Sequence, residues 1–200
     1  MFQALSSFAM PALIVLALFY GVYLSKQLLL RRRGIRCVQM GKGKAKKTNT
    51  VETVMGIATV GIIIVQLLSI LSGFSRLPAP LRLAGFIIGL TGDIVFLLSV
   101  IAMKDSWRVG IPNSGKTALV TEGVYAFSRN PAFLGFDLQY IGILLMFCNA
   151  LTLLFTLFAM VMLHLQILQE EKYLTGLFGD DYRDYCRRVP GRYLCFPKKK

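Results

Sequence analysis

The residues with the most chemical potential lie in the last third of the chain. There Gly123-Val124-Tyr125-Ala126-Phe127-Ser128-Arg129-Asn130-Pro131 is followed by two apolar runs and then by Glu170-Glu171, Phe178-Gly179, Tyr182 and Tyr185. The nonapeptide and the acidic pair are about 40 residues apart, the length of a transmembrane hairpin, so folding the apolar runs together returns both motifs to one side of a bilayer. Polar residues also occur within the runs: Asp137 and Gln139 in the first, His164 and Gln166 in the second. Ionisable groups at such depth are costly unless they are paired or face water. His164 and Gln166 stand one turn or less from Glu170, and a tight turn at Cys148-Asn149 places them opposite Ala132 to Gly135, lining a cavity below Pro131. For Asp137, and for Asp93 further upstream, a helix-to-helix hydrogen bond and a functional role are both open. For Gln66 the helix-to-helix bond is the preferred reading.

The elements that must position these groups follow from composition. The chain is 55% hydrophobic and 16% charged, with a mean hydropathy of +0.60, and it contains apolar runs long enough to cross about 30 Å of hydrocarbon. Five helical spans are expected, roughly 6–29, 51–72, 81–103, 132–148 and 150–168, each nearly free of charge, because a helix satisfies its backbone groups internally in lipid. The fold class is therefore all-α, a polytopic membrane protein of about five transmembrane helices with a C-terminal cytoplasmic cap. Residues 1–103 supply three spans and a basic loop; residues 104–200 supply the motif, the hairpin 132–168 and the tail. The first span has no basic region before it and no small-residue cleavage site after it, so it reads as a retained anchor.

The net charge of +13 is distributed by topology. Nine basic residues, from Lys26 to Lys47, stand between spans one and two, whereas the next loop offers only Arg76 and Arg82. The positive-inside rule makes the first loop cytoplasmic, and with it 104–131 and 169–200, leaving the N-terminus outside and the C-terminus inside. Orientation and attraction to anionic lipid account for the charge. Nucleic acid is not an expected partner, since no aromatic residues interleave with the basic run as a stacking surface needs.

Cys37, Cys148, Cys186 and Cys195 form no CxxC and have no histidine at ligand spacing, so no metal site is expected. Residues 31–50, punctuated by Gly34, Gly41 and Gly43, read as a mobile linker, and 73–80, with Pro78 and Pro80, as a short outer turn. Gly85, Gly89 and Gly92 in span three are small residues that allow helix backbones to approach closely.

The run Leu119-Val120-Thr121-Glu122-Gly123-Val124-Tyr125, then Arg129-Asn130-Pro131, a hairpin, Glu170-Glu171, Phe178-Gly179 and Tyr182, with Trp107 ahead of them, resembles the isoprenylcysteine carboxyl methyltransferase and phospholipid methyltransferase superfamily over roughly residues 104–196. The resemblance implies an integral membrane enzyme using S-adenosylmethionine in a pocket at the cytoplasmic face, closed over by the tail. By position Thr117, Leu119, Val120, Tyr125, Asn130, Pro131, Phe133 and Glu170 would contact the cofactor. The Glu170 carboxylate would accept its polar hydrogens, Tyr125 and Phe133 would offer flat surface to adenine, and backbone groups around Asn130-Pro131 would bond its edge or ribose.

Three positions depart from the family pattern. Asn130 stands where histidine is usual, keeping hydrogen-bonding capacity but not titrating near neutral pH. Phe133 replaces a tyrosine. Gln166 occupies the place of an arginine one turn before the cofactor glutamate, so a substrate carboxylate would lose a bidentate cation. Gln166, Arg129 and Asp137 are the candidate substrate contacts, and Gln166 and His164 the candidate catalytic residues. Direct displacement at the sulfonium methyl asks mainly for alignment and exclusion of water. An amine or thiol acceptor must also lose a proton, for which His164 is the only histidine. The expected acceptor is a lipid-like or prenylated molecule entering from the bilayer, either a prenylcysteine carboxylate, a phospholipid amine or a small thiol. The competing class is a non-enzymatic membrane transporter or structural subunit, for which Asp93 and Asp137 would suit cation passage. No inverted repeat supports it.

Overall fold

The computed structural model of the protein describes residues 7–40, 44–111 and 118–195. Six α-helices organise them: α1 (Ala9–Arg32), α2 (Lys46–Ser72), α3 (Ala79–Met103), α4 (Pro131–Met146), α5 (Ala150–Phe178) and α6 (Asp180–Arg188), with short 3-10 turns at Lys104–Ser106 and Gly123–Ala126. Four of these, α1, α2, α3 and α5, are long and apolar enough to cross a membrane, and α4 is a shorter apolar helix. The protein is an all-α polytopic membrane protein. Side chains such as Leu71, Ile57, Leu154 and Val161 stand exposed on the outer faces, as lipid-facing residues do.

Local chemistry sets the helix ends. Pro80 lies in the first turn of α3 and Pro131 in that of α4, where a missing N–H costs nothing. Gly73 ends α2 in the left-handed conformation at φ 66. Asn149 caps α5 by accepting from the Thr152 N–H at 2.9 Å, the usual service of an N-cap amide.

The glycines of α3 make the closest helix contact. A Cβ on Gly142 would lie 2.6 Å from the Gly89 Cα, and one on Gly92 would lie 2.7 Å from the Gln139 nitrogen. Only hydrogen side chains permit that approach of α3 to α4, the arrangement expected from the small residues of span three. Elsewhere larger groups fill the gap. Met55, Ala58 and Ile62 of α2 meet Tyr140 of α4 and Ala159, Met162 and Leu163 of α5. Phe19 of α1 stacks on Phe96 of α3 with centroids 4.4 Å apart, and Trp107 belongs to the same cluster. Polar bonds join α2 to its neighbours: Ser69 and Thr152 share a hydrogen bond of 2.7 Å, and the Gln139 amide donates to Gln66 at 3.4 Å. Neither carboxylate oxygen of Asp93, nor Oδ1 of Asp137, finds a hydrogen-bond partner among the described residues.

Two regions differ from the sequence expectation. α5 does not stop at the membrane exit but continues to Phe178, so Glu170 and Glu171 are held on a rigid helix rather than in a tail. The stretch 31–50, read as a linker, is tied down where it is described. Gln39 N–H donates to the Val109 carbonyl at 2.8 Å and Val109 N–H to that of Cys37 at 2.9 Å, forming an isolated parallel bridge between Val38 and Val109. From Lys46 onward the stretch is already α2. Its glycines and lysines signalled mobility, but the partner segment around Val109 lies far along the sequence from Val38, beyond any local reading.

Candidate functional site

Because α5 is continuous, adjacent residues on it point about 100° apart, and the acidic pair divides between two faces. On one face Glu170 accepts from the Gln166 side-chain amide at 3.1 Å. Gln166 is fully buried, and its own carbonyl oxygen has no hydrogen-bond partner among the described residues. The Glu170 carboxylate lies within electrostatic reach of Glu52 and Lys44 and of Tyr125. Tyr125 stands in the 3-10 turn that Gly123 opens with a positive φ of 64. It is buried, which pushes its phenol far above the ordinary value. Its carbonyl accepts the Tyr185 hydroxyl at 2.7 Å, fastening α6 across the motif.

On the other face Glu171 gathers three partners. Arg129 donates to its Oε1 through Nε at 3.0 Å and Nη2 at 2.8 Å, and Arg192 to its Oε2 at 2.7 Å. The Asn130 amide adds a longer contact of 3.4 Å. Burial works against the Arg129 guanidinium, but the bonded carboxylate of Glu171 outweighs it and raises the Arg129 pKa. Arg129 also donates to the carbonyls of Val189 and Pro190 at 2.8 Å each. Main-chain bonds continue the seam, from Asn130 N–H to Arg192 at 3.2 Å and from Cys195 N–H to Phe127 at 2.7 Å. The segment after α6 is thereby laid across the motif before α4.

The remaining sequence candidates fall around these two faces. Leu119 packs on Tyr182, Tyr185 and Val189, and Val120 beside it is half-buried. Pro131 starts α4, and Phe133, half a turn on, packs against the α2–α5 cluster. His164 meets a residue of the tail: its Nδ1 is 3.1 Å from the Tyr193 hydroxyl, with the rings stacked at 6.0 Å. Burial pushes the Tyr193 phenol up to about 12, and the charge of Asp137 adds to the rise. Thr117 lies outside the described residues. Gln166 and Glu170 thus come together with Tyr125 within electrostatic reach, Arg129 and Asn130 meet around Glu171, and His164 meets Tyr193 with Asp137 within electrostatic reach of that phenol.

Sequence reasoning missed Glu171, Arg192 and Tyr193 as tail contacts, and it missed Lys44 and Glu52 altogether. Glu52 did carry a signal, being the lone acid at the head of an apolar span. It is fully buried, and the Lys44 ammonium lies 2.6 Å from it. A cavity of about 570 Å³ opens beside this pair, lined by Lys44, Thr48, Ile111, Gln169, Lys172 and Tyr173.

Membrane helices thus carry Glu170 and Glu171 at one end of α5, where α6 and the segment after it cross the motif before α4. Residues 85–176 match the model of the isoprenylcysteine carboxyl methyltransferase (ICMT) family, which supports that family for this part of the chain. The chain is 40% identical over 80 residues to the protein-S-isoprenylcysteine O-methyltransferase of Schizosaccharomyces pombe, covering 40% of this chain and 34% of the relative. It is 30% identical over 113 residues to the enzyme of that name from Xenopus laevis, covering 55% and 39%. With protein-S-isoprenylcysteine O-methyltransferase B of Arabidopsis thaliana it shares 40% identity over 75 residues, covering 36% and 37%. The chain spans 26% to 56% of the length of the relatives of this name that it matches.

Proposed function

We propose that this protein is an S-adenosylmethionine-dependent membrane methyltransferase acting on a lipophilic or prenylated acceptor at the cytoplasmic face. The observation that carries the reading is the bond of Gln166 to Glu170 on α5, with Tyr125 of the motif 118–130 within electrostatic reach of that carboxylate. The residues suit the cofactor. Glu170 offers anionic acceptors, the unpartnered Gln166 oxygen a further one, and Tyr125 a flat apolar wall. Leu119 and Val120 would close the adenine side, with Asn130, Pro131 and Phe133 at the start of α4. Thr117 stays in the set by position.

The bound sulfonium would supply an electrophilic methyl group. The chain must then hold the acceptor about 3–3.5 Å from it and exclude water. α6 and the tail serve the second task through the bonds of Tyr185 and Arg129. His164, next to Tyr193, would accept the proton of an amine or thiol acceptor, and a carboxylate acceptor would need no base. The relatives named protein-S-isoprenylcysteine O-methyltransferase support a prenylcysteine-type acceptor. The positive loops favour an outside N-terminus and a cytoplasmic C-terminus.

The test is equilibrium binding of S-adenosylhomocysteine to the purified protein, followed by radiolabelled methyl transfer to a panel of prenylcysteine analogues, phosphatidylethanolamine and apolar thiols. Saturable binding with label in the lipid fraction is the expected result. No binding by intact, folded protein would end the proposal.

A further inference from the structure

Lys44 and Glu52 lie in the N-terminal half, outside residues 85–176, yet their charges converge on the site. The Lys44 ammonium is 2.6 Å from both carboxylate oxygens of Glu52 and 2.5 Å from the Gln39 carbonyl. Both side chains are withdrawn from solvent, at 5% and 0% exposure. Glu52 Oε1 also accepts the Ile111 N–H at 2.9 Å. Gly110 makes room for this: its φ is +83, and a Cβ there would sit 2.8 Å from Met40 and 3.1 Å from the Glu52 oxygen. One buried carboxylate therefore joins the first loop, α2 and the segment 107–111. On the neighbouring turn of α2, Thr48 donates to Gln169 at 3.1 Å, the residue immediately before Glu170.

Such a pair is expensive to bury. Two ions removed from water repay their desolvation only when geometry is good and further hydrogen bonds are made, and apolar residues of similar volume would often serve stability as well. The arrangement is better explained by what it holds than by the energy it yields. It holds Ile111 to the head of α2, on a cavity that Gln169, the residue before Glu170, also lines.

We propose that Glu52 and Lys44 are positioning residues for the methyl-donor site, fixing the 107–111 segment and the head of α2 beside the Gln169–Glu170 stretch of α5. The pair does not touch the acceptor and acts through backbone placement. This rests on the proposed function above. The expected pattern is a rise in the donor KM with kcat and the acceptor KM little changed.

The test uses the full-length protein in detergent or nanodiscs. In Glu52→Gln and Lys44→Met the donor KM and the S-adenosylhomocysteine Kd should rise about tenfold or more while kcat stays within about threefold, and Lys44→Arg should restore most of the loss. Amide hydrogen exchange at Ile111 should quicken in Glu52→Gln with exchange in α3 unchanged. Should Glu52→Gln fail to fold, the Lys44 variants carry the measurement. Donor affinity unchanged in both Glu52→Gln and Lys44→Met overturns the assignment, as does a fall in kcat with no change in donor KM. Wild type that binds no S-adenosylhomocysteine defeats the proposed function and the positioning role together. Wild type and variants that bind equally well remove the positioning role alone.

Discussion

The carboxylates of Glu170 and Glu171, neighbours in the chain, serve different partners: Glu170 accepts from Gln166 on its own helix, while Glu171 is held by Arg129 and by Arg192 from the tail. The division has a functional consequence. A carboxylate already bonded to two guanidinium groups has little left to offer a ligand, whereas one with a single amide partner among the described residues retains acceptor capacity. Glu170 is thus the member suited to a cofactor, and Glu171 the member suited to closing the roof over it.

Replacement of Glu170 by alanine should abolish detectable binding of S-adenosylhomocysteine while leaving the protein folded in detergent. Charge-assisted hydrogen bonds of this kind are each worth roughly 1.5–3 kcal/mol, and a methyl group replaces none of them. Calorimetric titration checks it, with the melting temperature as control. Unchanged affinity in a folded variant would remove Glu170 from the pocket.

Glu171→Gln should act on the tail instead. Removing one partner of a buried ion pair costs about 3–5 kcal/mol because the other charge is left uncompensated, and Arg129 is that charge here. Residues 189–195 should become sensitive to limited proteolysis, and bound S-adenosylhomocysteine should dissociate faster. Protection of the tail equal to wild type would show that the main-chain bonds of Asn130 and Cys195 suffice without Glu171.

The spans and the acidic pair were legible because each depends on local pattern. Lipid demands uninterrupted apolar helices, so 51–72 and 81–103 reappear almost unchanged within α2 and α3. Small residues at Gly85, Gly89 and Gly92 announced a close helix contact, though not that Gly135 and Gly142 would answer from α4. What could not be read was pairing at long range. Arg129 gives no sign in sequence that its partner is Glu171 rather than a substrate, and Tyr193 none that it meets His164. Lys44 was one of nine basic residues in a loop explained by topology, and nothing distinguished it until folding buried it against Glu52.

The orientation can be checked with the native cysteines. Membrane-impermeant maleimide applied to intact cells should reach Cys148, between α4 and α5, and leave Cys37, Cys186 and Cys195 unlabelled until the membrane is opened. Even then Cys37 should react slowly, since it is buried and burial raises its thiol pKa, reducing the thiolate that reacts. Labelling of Cys186 from outside would reverse the topology.

The α3–α4 contact predicts a stability effect separate from catalysis. Gly142→Ala would force its new methyl against the Gly89 backbone at 2.6 Å, and overpacking of that sort costs about 1–3 kcal/mol. Gly176→Ala, where a Cβ would meet nothing within 4 Å among the described residues outside its own stretch of helix, should be tolerated. Thermal unfolding of the two variants in one detergent should separate them. Equal melting temperatures would mean that α3 and α4 do not approach as closely as described.

The choice of acceptor rests on Gln166. Its amide is spent on Glu170, and Arg129, the other candidate for holding an acidic acceptor, is occupied by Glu171, Val189 and Pro190. With neither residue presenting a free cation, a neutral nucleophile such as an amine or thiol on a lipid-like molecule should be methylated in preference to a prenylcysteine carboxylate. Gln166→Arg should shift the preference towards the acid by supplying a bidentate cation, worth roughly 1.5–3 kcal/mol or about 10–100-fold in relative kcat/KM. Radiolabelled transfer to prenylcysteine analogues, phosphatidylethanolamine and apolar thiols, measured on wild type and Gln166→Arg, gives the comparison. If wild type turns over the acid efficiently and Gln166→Arg brings no gain, the acid is held without a cation at position 166.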